Sequence, residues 1–508
     1  MRSKTHNKPK KKLKLIPASP VLAILMLVTL FTEAIFMIFL EGLDVLPGKF
    51  AVIVLILLIG VSVLIIKLLN CRKKVTKQRK IGVIVAALLI VILGIGSFYL
   101  YSTYSMFHKI SGKDQQTEDF YVVALKDGSY DKLKDVKGKT VHITKNETDT
   151  YKQAKQKLEK KAKVSYQEEE HYLALGHVLV DKEGATHDEV IFLSDVNYQM
   201  LGEGIDDFEK KTKIIYTISI PVDSKDVAKR IDVTKDSFNV YISGIDTFGG
   251  INKVARSDVN MIMTVNPKEK KILLTSIPRD MYVKLHSYGQ LDKLTHSGIY
   301  GVDETVTTVE DWLGIDINYY VRVNFTTLVD VVNVIDGVDV ESDRAFKSSV
   351  SKYRYTKGTN HLDGEAALYF ARERKSFKDG DNQRIKNQQK VLKGIIEKVT
   401  GSTVILRKYT QLLDAVGSEM QTNLKDSDIS KLVKMQLNDL GGWTIESISI
   451  KGNGTKAETY SMGSQKLYVA IPDEDSVAAA QEAIQQVMAG SSASTKSDSK
   501  ETKSTKAE

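Results

Sequence analysis

Three apolar stretches of about 20 residues stand close together near the start of the chain, at residues 21–40, 50–69 and 81–101. This is the length that a helix needs to cross the hydrocarbon core of a bilayer. A segment inside a bilayer has to satisfy its own backbone hydrogen bonds, and a helix does so internally. Residues 18–105 are therefore predicted to form three transmembrane helices and to take no part in a water-soluble domain.

The basic residues around these stretches predict their orientation. Residues 1–17 carry seven Lys and Arg, residues 70–80 carry six, and the loop at residues 41–49 is nearly neutral. Basic loops favour the cytoplasmic side of a membrane. The arm at residues 1–17 is therefore predicted to be cytoplasmic, and the chain beyond the third stretch is predicted to lie outside the cell membrane. No small-residue cleavage site follows the first stretch, so no cleavable signal peptide is expected.

The net charge of the chain divides into two parts. Residues 1–80 hold 15 Lys and Arg against 3 Asp and Glu, whereas the whole chain has a formal charge of +9. The basic excess therefore belongs to the membrane region, and the remainder is weakly acidic. A topology signal that also contacts anionic lipid explains the basic arm better than nucleic-acid binding, which is the alternative.

Two single residues of the membrane region bear on function and stability. Glu33 lies within the first stretch, and carboxylates inside a membrane are often functional. It stands about two turns from the outer end of a 3.6-residue helix, so we favour the interpretation that it reaches the interface. The one cysteine, Cys71, lies in the predicted cytoplasmic loop. The outer region therefore has no disulfide and needs a sizeable core.

Beyond the third stretch, the pattern of apolar runs predicts two folded domains. Residues 106–225 are predicted to form a small α/β accessory domain with a charged helix at residues 150–163. This domain shows no metal-ligand spacing and no nucleophile motif, so we expect a spacer or a partner surface. Residues 236–488 alternate strands and helices, which predicts an α/β sandwich. Residues 489–508 are polar and of low complexity, and disorder is expected there.

Two aspartates stand at predicted strand edges of the larger domain. Asp246 ends the Gly-Ile-Asp motif at residues 244–246 and follows the apolar strand at residues 239–243, and Asp258 lies just before the next strand. Two carboxylates placed in this way can hold one Mg²⁺ ion against phosphate oxygens. The alternative is that each aspartate caps a turn or a helix.

Arginines recur at the ends of predicted elements in the same domain. The five are Arg256, Arg279, Arg372, Arg374 and Arg384. The guanidinium group presents a fixed fork of donors that matches phosphate oxygens. Arg372 and Arg374 alternate with other residues and are predicted to face one way in an extended segment. Arg384 and Gln388 are four apart and share one helix face. Together these side chains predict a pyrophosphate site, and the membrane region predicts that the pyrophosphate carries a lipid; a solvated charged surface is the alternative.

Lys293 lies in a polar stretch at residues 291–297. We interpret this stretch as an ordinary surface loop, with a substrate-lining loop as the alternative.

Four motifs in order carry a family resemblance. They lie at residues 244–246, 256–260, 277–282 and 371–389. With them, residues 237–400 closely resemble the LytR-CpsA-Psr family of Gram-positive envelope proteins. The three stretches and the accessory domain look like the capsule-operon members of that family, the streptococcal CpsA type in particular.

The resemblance implies a fold and an activity. The fold is an extracellular α/β/α sandwich with a mixed sheet that encloses an apolar tunnel for a prenyl chain. The activity is that of a phosphotransferase, which moves capsular polysaccharide (an exopolysaccharide) from a polyprenyl-pyrophosphate carrier to a hydroxyl of peptidoglycan. The expected partners are the carrier-linked polysaccharide, peptidoglycan, the membrane and other capsule-assembly proteins.

The resemblance also implies roles for individual residues. The pyrophosphate ligands are Arg256, Arg279, Arg372, Arg374, Arg384 and Gln388. The metal ligands are Asp246 and Asp258, holding Mg²⁺, with Mn²⁺ as the alternative ion. Asp246, Asp258 and Arg279 are the expected catalytic residues. An ionised aspartate can serve as the general base for the acceptor hydroxyl, and we assign Mg²⁺ to Asp258, with Asp246 as second ligand or base.

Two other functions remain as alternatives. A lipid pyrophosphatase would use the same site with water as the acceptor. A regulator of capsule operon transcription would need DNA binding in the cytoplasm. Only the 17-residue arm and the 11-residue loop are predicted to lie there, and neither has a recognisable DNA-binding fold. DNA is therefore not an expected partner.

Overall fold

The computed structural model describes residues 17, 19–44, 46–70, 77–110, 116–145, 148–180, 188–222, 226–245, 251, 255–378, 380–401, 404, 408–417 and 420–490. The chain divides into two units. One comprises residues 1–107 and 427–439, and the other comprises residues 108–426 and 440–508. Most of the basic arm, the basic loop at residues 71–76, and Asp246 lie outside the described residues.

The first unit contains the predicted membrane helices. Its helices are α1 (Pro20–Leu43), α2 (Gly48–Leu69) and α3 (Lys77–Ile110), joined by α14 (Asp426–Asn438). Helices α1 to α3 are long and apolar enough to cross a membrane, as predicted. Most of their large apolar side chains are exposed, which suits a surface that faces hydrocarbon.

Glu33 is held within this unit by a neighbouring helix. The Ser62 hydroxyl of α2 lies 2.6 Å and 2.7 Å from the two carboxylate oxygens of Glu33. Both residues are more than nine-tenths buried. The interpretation of Glu33 as a side chain that reaches the interface is therefore wrong, because its carboxylate is buried against α2. A hydrogen-bonded partner is what a buried carboxylate requires.

In the second unit, the described residues of the accessory domain form a five-stranded sheet with the order β3-β2-β4-β1-β5. The strands are β1 (Gln116–Leu125), β2 (Thr140–Thr144), β3 (Ser165–Glu169), β4 (Val190–Ser194) and β5 (Thr212–Val222). The helices are α4 (Asp149–Ala162), α5 (Tyr172–Val180), α6 (Asp195–Gly204) and α7 (Phe208–Lys211).

Both faces of this small sheet are buried. Along β1, Phe120 and Val122 pack into a core with α4, whereas Tyr121 and Val123 pack into a second core with α5 and α6. Successive side chains of a strand point to opposite faces, so a continuous apolar run such as this one is what a strand covered on both faces requires.

The larger domain is built on a mixed sheet, six-stranded in the part of the chain that the structure describes, with the order β16-β11-β6-β7-β8-β17. Its strands are β6 (Phe238–Gly244), β7 (Val259–Asn266), β8 (Lys271–Ile277), β11 (Tyr319–Val323), β16 (Met420–Thr422) and β17 (Thr444–Ser449). Strand β6 runs parallel to β11 and antiparallel to β7, and β8 runs antiparallel to β7 and parallel to β17.

Helices cover both faces of this large sheet, so the predicted α/β/α sandwich is confirmed. The helices are α8 (Leu294–Ser297), α9 (Val302–Leu313), α10 (Phe325–Val334), α11 (Gly364–Arg372), α12 (Asp381–Thr400), α13 (Tyr409–Gly417) and α15 (Glu474–Ala489). One face packs against α9 and α15 in a core that contains Tyr241, Ile262 and Ile484. Helices α10, α11 and α12 form a separate core with Val332, Phe370 and Val391.

Short strand pairs complete the larger domain. They are β9 (Tyr282–Lys284) with β10 (Leu291–Lys293), β12 (Val338–Ser342) with β15 (Gly358–Leu362), β13 (Phe346–Lys347) with β14 (Arg354–Tyr355), and β18 (Gly452–Thr459) with β19 (Gly463–Pro472).

Candidate functional site

Three central strands bring the predicted site residues to one edge of the large sheet. Strand β6 ends at Gly244 and β8 ends at Ile277, while the antiparallel β7 begins at Val259, directly after Asp258. The Asp258 N–H donates to the Gly244 carbonyl at 2.9 Å. A Cβ on Gly244 would lie 2.7 Å from the Cβ of Val259, so only glycine allows this approach.

Asp258 and Arg279 meet at this edge. Arg279 Nη1 donates to Asp258 Oδ1 at 2.7 Å, and the Thr295 hydroxyl lies 3.4 Å from the same oxygen. Burial lowers the pKa of Arg279, but the charges of Asp258 and Asp280 outweigh burial, so the net shift is upward. Arg279 is therefore a permanent cation beside a carboxylate.

A second group of arginines comes from α11 and α12. Arg384 Nη2 donates to Asp381 Oδ1 at 2.7 Å, and Arg374 Nη1 lies 3.9 Å from that oxygen. Arg372 is the last residue of α11, and its guanidinium lies 4.3 Å from the ring centroid of Phe325. The prediction that Arg372 and Arg374 share an extended segment is wrong, because Arg372 is helical, although both side chains reach the same cavity.

The cavity has a volume of about 400 Å³ and unites these groups. Its charged and polar lining comprises Asp258, Arg279, Asn324, Ser349, Arg372, Arg374, Lys375, Arg384 and Gln388. Its apolar lining includes Ile242, Met261, Val323, Leu328, Leu368, Val391, Leu392 and Ile395. Residues of strands β6, β7 and β11 thus form one wall of the cavity. Residues of helices α10, α11 and α12 form the other wall.

Helix α12 shows how the lining changes along the cavity. Arg384, Gln388, Val391, Leu392 and Ile395 all line it, and they follow the spacing of one helix face. At 1.5 Å per residue the lining changes from cation to apolar over about 16 Å. Such a site fits a molecule with an anionic head and an apolar tail.

Donors of these arginines are left over inside the protein. Arg279 Nε and Arg384 Nε are buried and have no hydrogen-bond partner among the described residues, although Asp280 Oδ2 lies 3.7 Å from Arg279 Nε. Burial lowers the pKa of Arg384, Asp381 opposes this shift, and Arg279 adds to it. Unmatched buried donors are costly, and these guanidinium groups would have to turn for phosphate oxygens to reach them.

Arg256 and Lys293 lie elsewhere. Neither is among the described residues that line the cavity. The Lys293 side chain is only 8% exposed and its ammonium lies 3.2 Å from Asp280 Oδ1, so the surface-loop interpretation is wrong. Arg256 Nη1 forms an ion pair with Glu203 of the accessory domain.

A model of the LytR_cpsA_psr family matches residues 205–483, which is more than half of the chain. The chain belongs to this family. The matched segment contains every residue of the cavity described above.

Proteins similar to this chain have names that state a transfer reaction. A polyisoprenyl-teichoic acid–peptidoglycan teichoic acid transferase of Enterococcus faecalis, TagU, is 38% identical over 201 residues, which is 39% of this chain and 65% of TagU. The transferase TagT of Bacillus subtilis is 39% identical over 239 residues, covering 44% of this chain and 73% of TagT. The chain thus spans just under two thirds of TagU. A solved structure of TagT bound to LIIa-WTA is 33% identical, covers 52% of this chain and 94% of that one, and has a TM-score of 0.42.

The Mg²⁺ that the LytR-CpsA-Psr resemblance implies can be tested against the acids present. Arg279 and Thr295 both contact Oδ1 of Asp258, so Oδ2 is the oxygen that would be left for an ion. The described residues contain no group of three or more His, Cys, Asp or Glu side chains suited to a metal. Mg²⁺ commonly relies on one or two carboxylates, waters and substrate phosphates, so the residues fit an ion that arrives with its phosphates.

Several residues that shape the site were not singled out from the sequence. Asp280 and Asp381 hold arginines of the cavity and its surroundings, and Glu203 holds Arg256. Asp381 stands three residues before Arg384 on α12, a spacing that predicts a helix-face pair. Glu203 lies 53 residues before Arg256, and no local pattern connects them.

Proposed function

We propose that this protein is a membrane-anchored phosphotransferase that moves a glycopolymer from a polyprenyl-pyrophosphate carrier to a hydroxyl of peptidoglycan. The observation that carries this proposal is a cavity whose lining changes from arginine side chains to apolar side chains. A polyprenyl pyrophosphate has the same sequence of groups, an anionic head followed by an apolar chain. The names of the related transferases support the same reaction class.

The residues of the cavity have distinct tasks in this reaction. The acceptor oxygen attacks the phosphorus that bears the glycan, the bond from that phosphorus to the bridging oxygen breaks, and polyprenyl phosphate leaves. This reaction depends mainly on positioning and charge neutralisation. Arg279 and Arg384, the more buried cations, neutralise the phosphates, and Arg372, Arg374 and Gln388 orient them.

The acids supply the metal and the base. Asp258 would hold Mg²⁺, or Mn²⁺ in its place, and Asp246 would be its second ligand or the base that takes the proton of the acceptor hydroxyl. When bound, the ion neutralises phosphate charge. Arg279 beside Asp258 keeps that carboxylate at the sheet edge where the phosphates are expected.

We propose capsular polysaccharide as the glycopolymer, because the three apolar helices and the accessory domain resemble capsule-operon members of the family. The carrier lies in a bilayer, so helices α1 to α3 keep the site near its substrate. The basic residues around these helices favour an orientation with the larger domain outside the cell membrane, where it would meet peptidoglycan and other capsule-assembly proteins.

The test is a transfer assay with the full-length protein in lipid nanodiscs. Carrier-linked capsular polysaccharide and carrier-linked teichoic acid are offered in parallel with peptidoglycan sacculi, and the polymer retained after detergent washing is measured. Arg279→Ala is expected to lower transfer about 100-fold or more, the loss typical for one charge-stabilising group. Arg354→Ala, which removes an exposed arginine of β14, is the matched control and is expected to transfer normally.

Each outcome of this assay decides a different point. Equal transfer by wild type and Arg279→Ala would overturn the site. Release of free polymer and polyprenyl phosphate, without any attached polymer, would indicate a lipid pyrophosphatase. Transfer of teichoic acid alone would retain the reaction and replace the polymer.

A further inference from the structure

The accessory domain places one carboxylate among basic groups of the larger domain. Glu203, near the end of α6, forms an ion pair with Arg256. Its Oε2 also lies 3.8 Å from Lys293 Nζ and 3.9 Å from His296 Nε2. One side chain of one domain thus faces three basic side chains of the other.

The contact is anchored on both sides of Glu203. Gln465 Nε2 of β19 donates to the Gly204 carbonyl at 3.2 Å. Met200 of α6 packs in one apolar cluster with Met462 and Leu467. A Cβ on Gly204 would lie 2.7 Å from Gln465 Oε1, so glycine permits the close approach. The position of Glu203 is therefore set by packing and backbone contacts, and not by the ion pair alone.

The basic side chains have donors to spare at this contact. His296 is fully buried, and its Nε2 has no hydrogen-bond partner among the described residues; it faces Glu203 instead. Arg256 Nε is likewise buried without a partner in the described part of the chain. The three basic groups thus form a site for an anion, and a carboxylate of the protein itself lies in it.

Charge keeps Glu203 in its ionised form. Burial raises its pKa, but neighbouring His296 and the charges of Arg256 and Lys293 outweigh burial and lower the pKa of Glu203 to about 2. Asp292 accepts a hydrogen bond from His296 Nδ1 at 2.6 Å and lies on the opposite side of that ring. Glu203 is therefore a permanent anion at neutral pH.

We propose that Glu203 competes with the phosphates of the substrate for Arg256. In the structure Glu203 neutralises Arg256, which does not line the cavity but stands two residues before Asp258, which does. A pyrophosphate bound beside Arg279 carries more charge than a carboxylate, so it draws Arg256 away from Glu203. The accessory domain thereby sets how tightly the enzyme holds its carrier, a role that rests on the proposed function of the cavity.

The test measures the affinity of the full-length protein in lipid nanodiscs for farnesyl pyrophosphate by calorimetry, with empty nanodiscs as the blank. Glu203→Gln removes the competing charge and keeps the shape of the side chain. It is expected to lower the Kd about twofold to fivefold, because a partly exposed ion pair contributes up to about 1 kcal/mol. Glu209→Gln makes the same charge change at an exposed position of the same domain and is expected to bind as wild type does.

A second variant identifies Arg256 as the group released. In an Arg256→Ala background, Glu203→Gln is expected to leave the Kd unchanged, since the competitor then has nothing to release. Should Glu203→Gln unfold, Glu203→Asp replaces it, because the shorter side chain withdraws the carboxylate and should tighten binding by a smaller factor.

The outcomes separate this inference from the function on which it rests. Unchanged or weaker binding by a folded Glu203→Gln protein, with normal binding by wild type, would overturn the competition. The same tightening in the Arg256→Ala background would also overturn it. No binding by wild type at all would instead count against the polyprenyl-pyrophosphate site.

Discussion

The large sheet has helices on both faces, but only one face is filled. Under α9 and α15, the side chains of Tyr241, Ile262 and Ile484 pack in a continuous core. Under α10 to α12, Ile242 and Met261 line a cavity of about 400 Å³. Protein interiors are close-packed, and empty space forfeits dispersion contacts. A cavity kept open beside a well-packed core is therefore a feature that calls for a ligand.

The two faces also differ in how their buried polar groups are partnered. Near the filled face, His296 and Asp292 are both 0% exposed and are joined by a 2.6 Å hydrogen bond. At the cavity, Arg279 and Arg384 retain buried donors without partners among the described residues. A buried charge with a partner is compatible with a stable fold, whereas a buried donor without a partner costs free energy until an acceptor binds it.

A large side chain placed on each face tests whether one face is filled and the other is open. Ile484→Trp enlarges the filled core and is expected to cost about 3 kcal/mol, which lowers the apparent unfolding midpoint by roughly 6–12 °C. Ile395→Trp projects into the cavity and is expected to lower the midpoint by less than about 3 °C. It should raise the Kd for farnesyl pyrophosphate about tenfold or more, because the chain loses its space.

Thermal unfolding and calorimetry on the two full-length variants measure these effects. Similar losses of stability in both proteins would mean that the second face is filled in solution. Normal lipid binding by Ile395→Trp would mean that the apolar lining does not hold the chain.

The arginines that line the cavity test the effect of burial on binding, with a smaller expected change in Kd. The Arg384 side chain is 16% exposed and the Arg374 side chain is 47% exposed. Charges interact more strongly where water is excluded. Arg384→Ala is therefore expected to raise the Kd for farnesyl pyrophosphate about tenfold and Arg374→Ala about threefold. Lys386→Ala, an exposed residue of the same helix, is the control for charge, and the reverse ranking of the two arginines would contradict the burial argument.

The sequence predicts those parts of the fold that leave a periodic pattern. The helix predicted at residues 150–163 is observed as α4, Asp149–Ala162, because its buried residues recur at helical spacing. Strands β3 and β18 are missed, because their side chains are mostly exposed and show no clear alternation. Strand β19 is missed with its partner, although Leu467 and Val469 are buried. Periodicity reports burial, so an element without a buried face gives little signal.

The site follows the same division. Asp258, Arg279 and Arg384 stand out in the sequence because their residue types lie at the ends of predictable elements, and the structure brings them to one cavity. The burial of Lys293 and its link through Glu203 to the accessory domain were not predictable. They depend on how two domains pack, and that packing has no local signature in either segment.

The smallest expected effect concerns the buried pair beside the filled face. Burial lowers the pKa of His296, but Asp292 and Glu203 outweigh burial and raise it above the usual value of about 6.5. A histidine with a raised pKa in the folded state contributes stability that is fully present below the pKa of the unfolded chain. That contribution is lost as the pH rises through the folded pKa.

The unfolding midpoints of wild type and His296→Asn should therefore differ most below about pH 6.5 and converge at higher pH. The control is His361→Asn, which changes an exposed histidine of β15. A difference that stays constant with pH would show that His296 is neutral in the folded protein. His296 would then be a neutral partner of Asp292. The contrast between paired charge near the filled face and unmatched donors at the cavity would no longer hold for this pair.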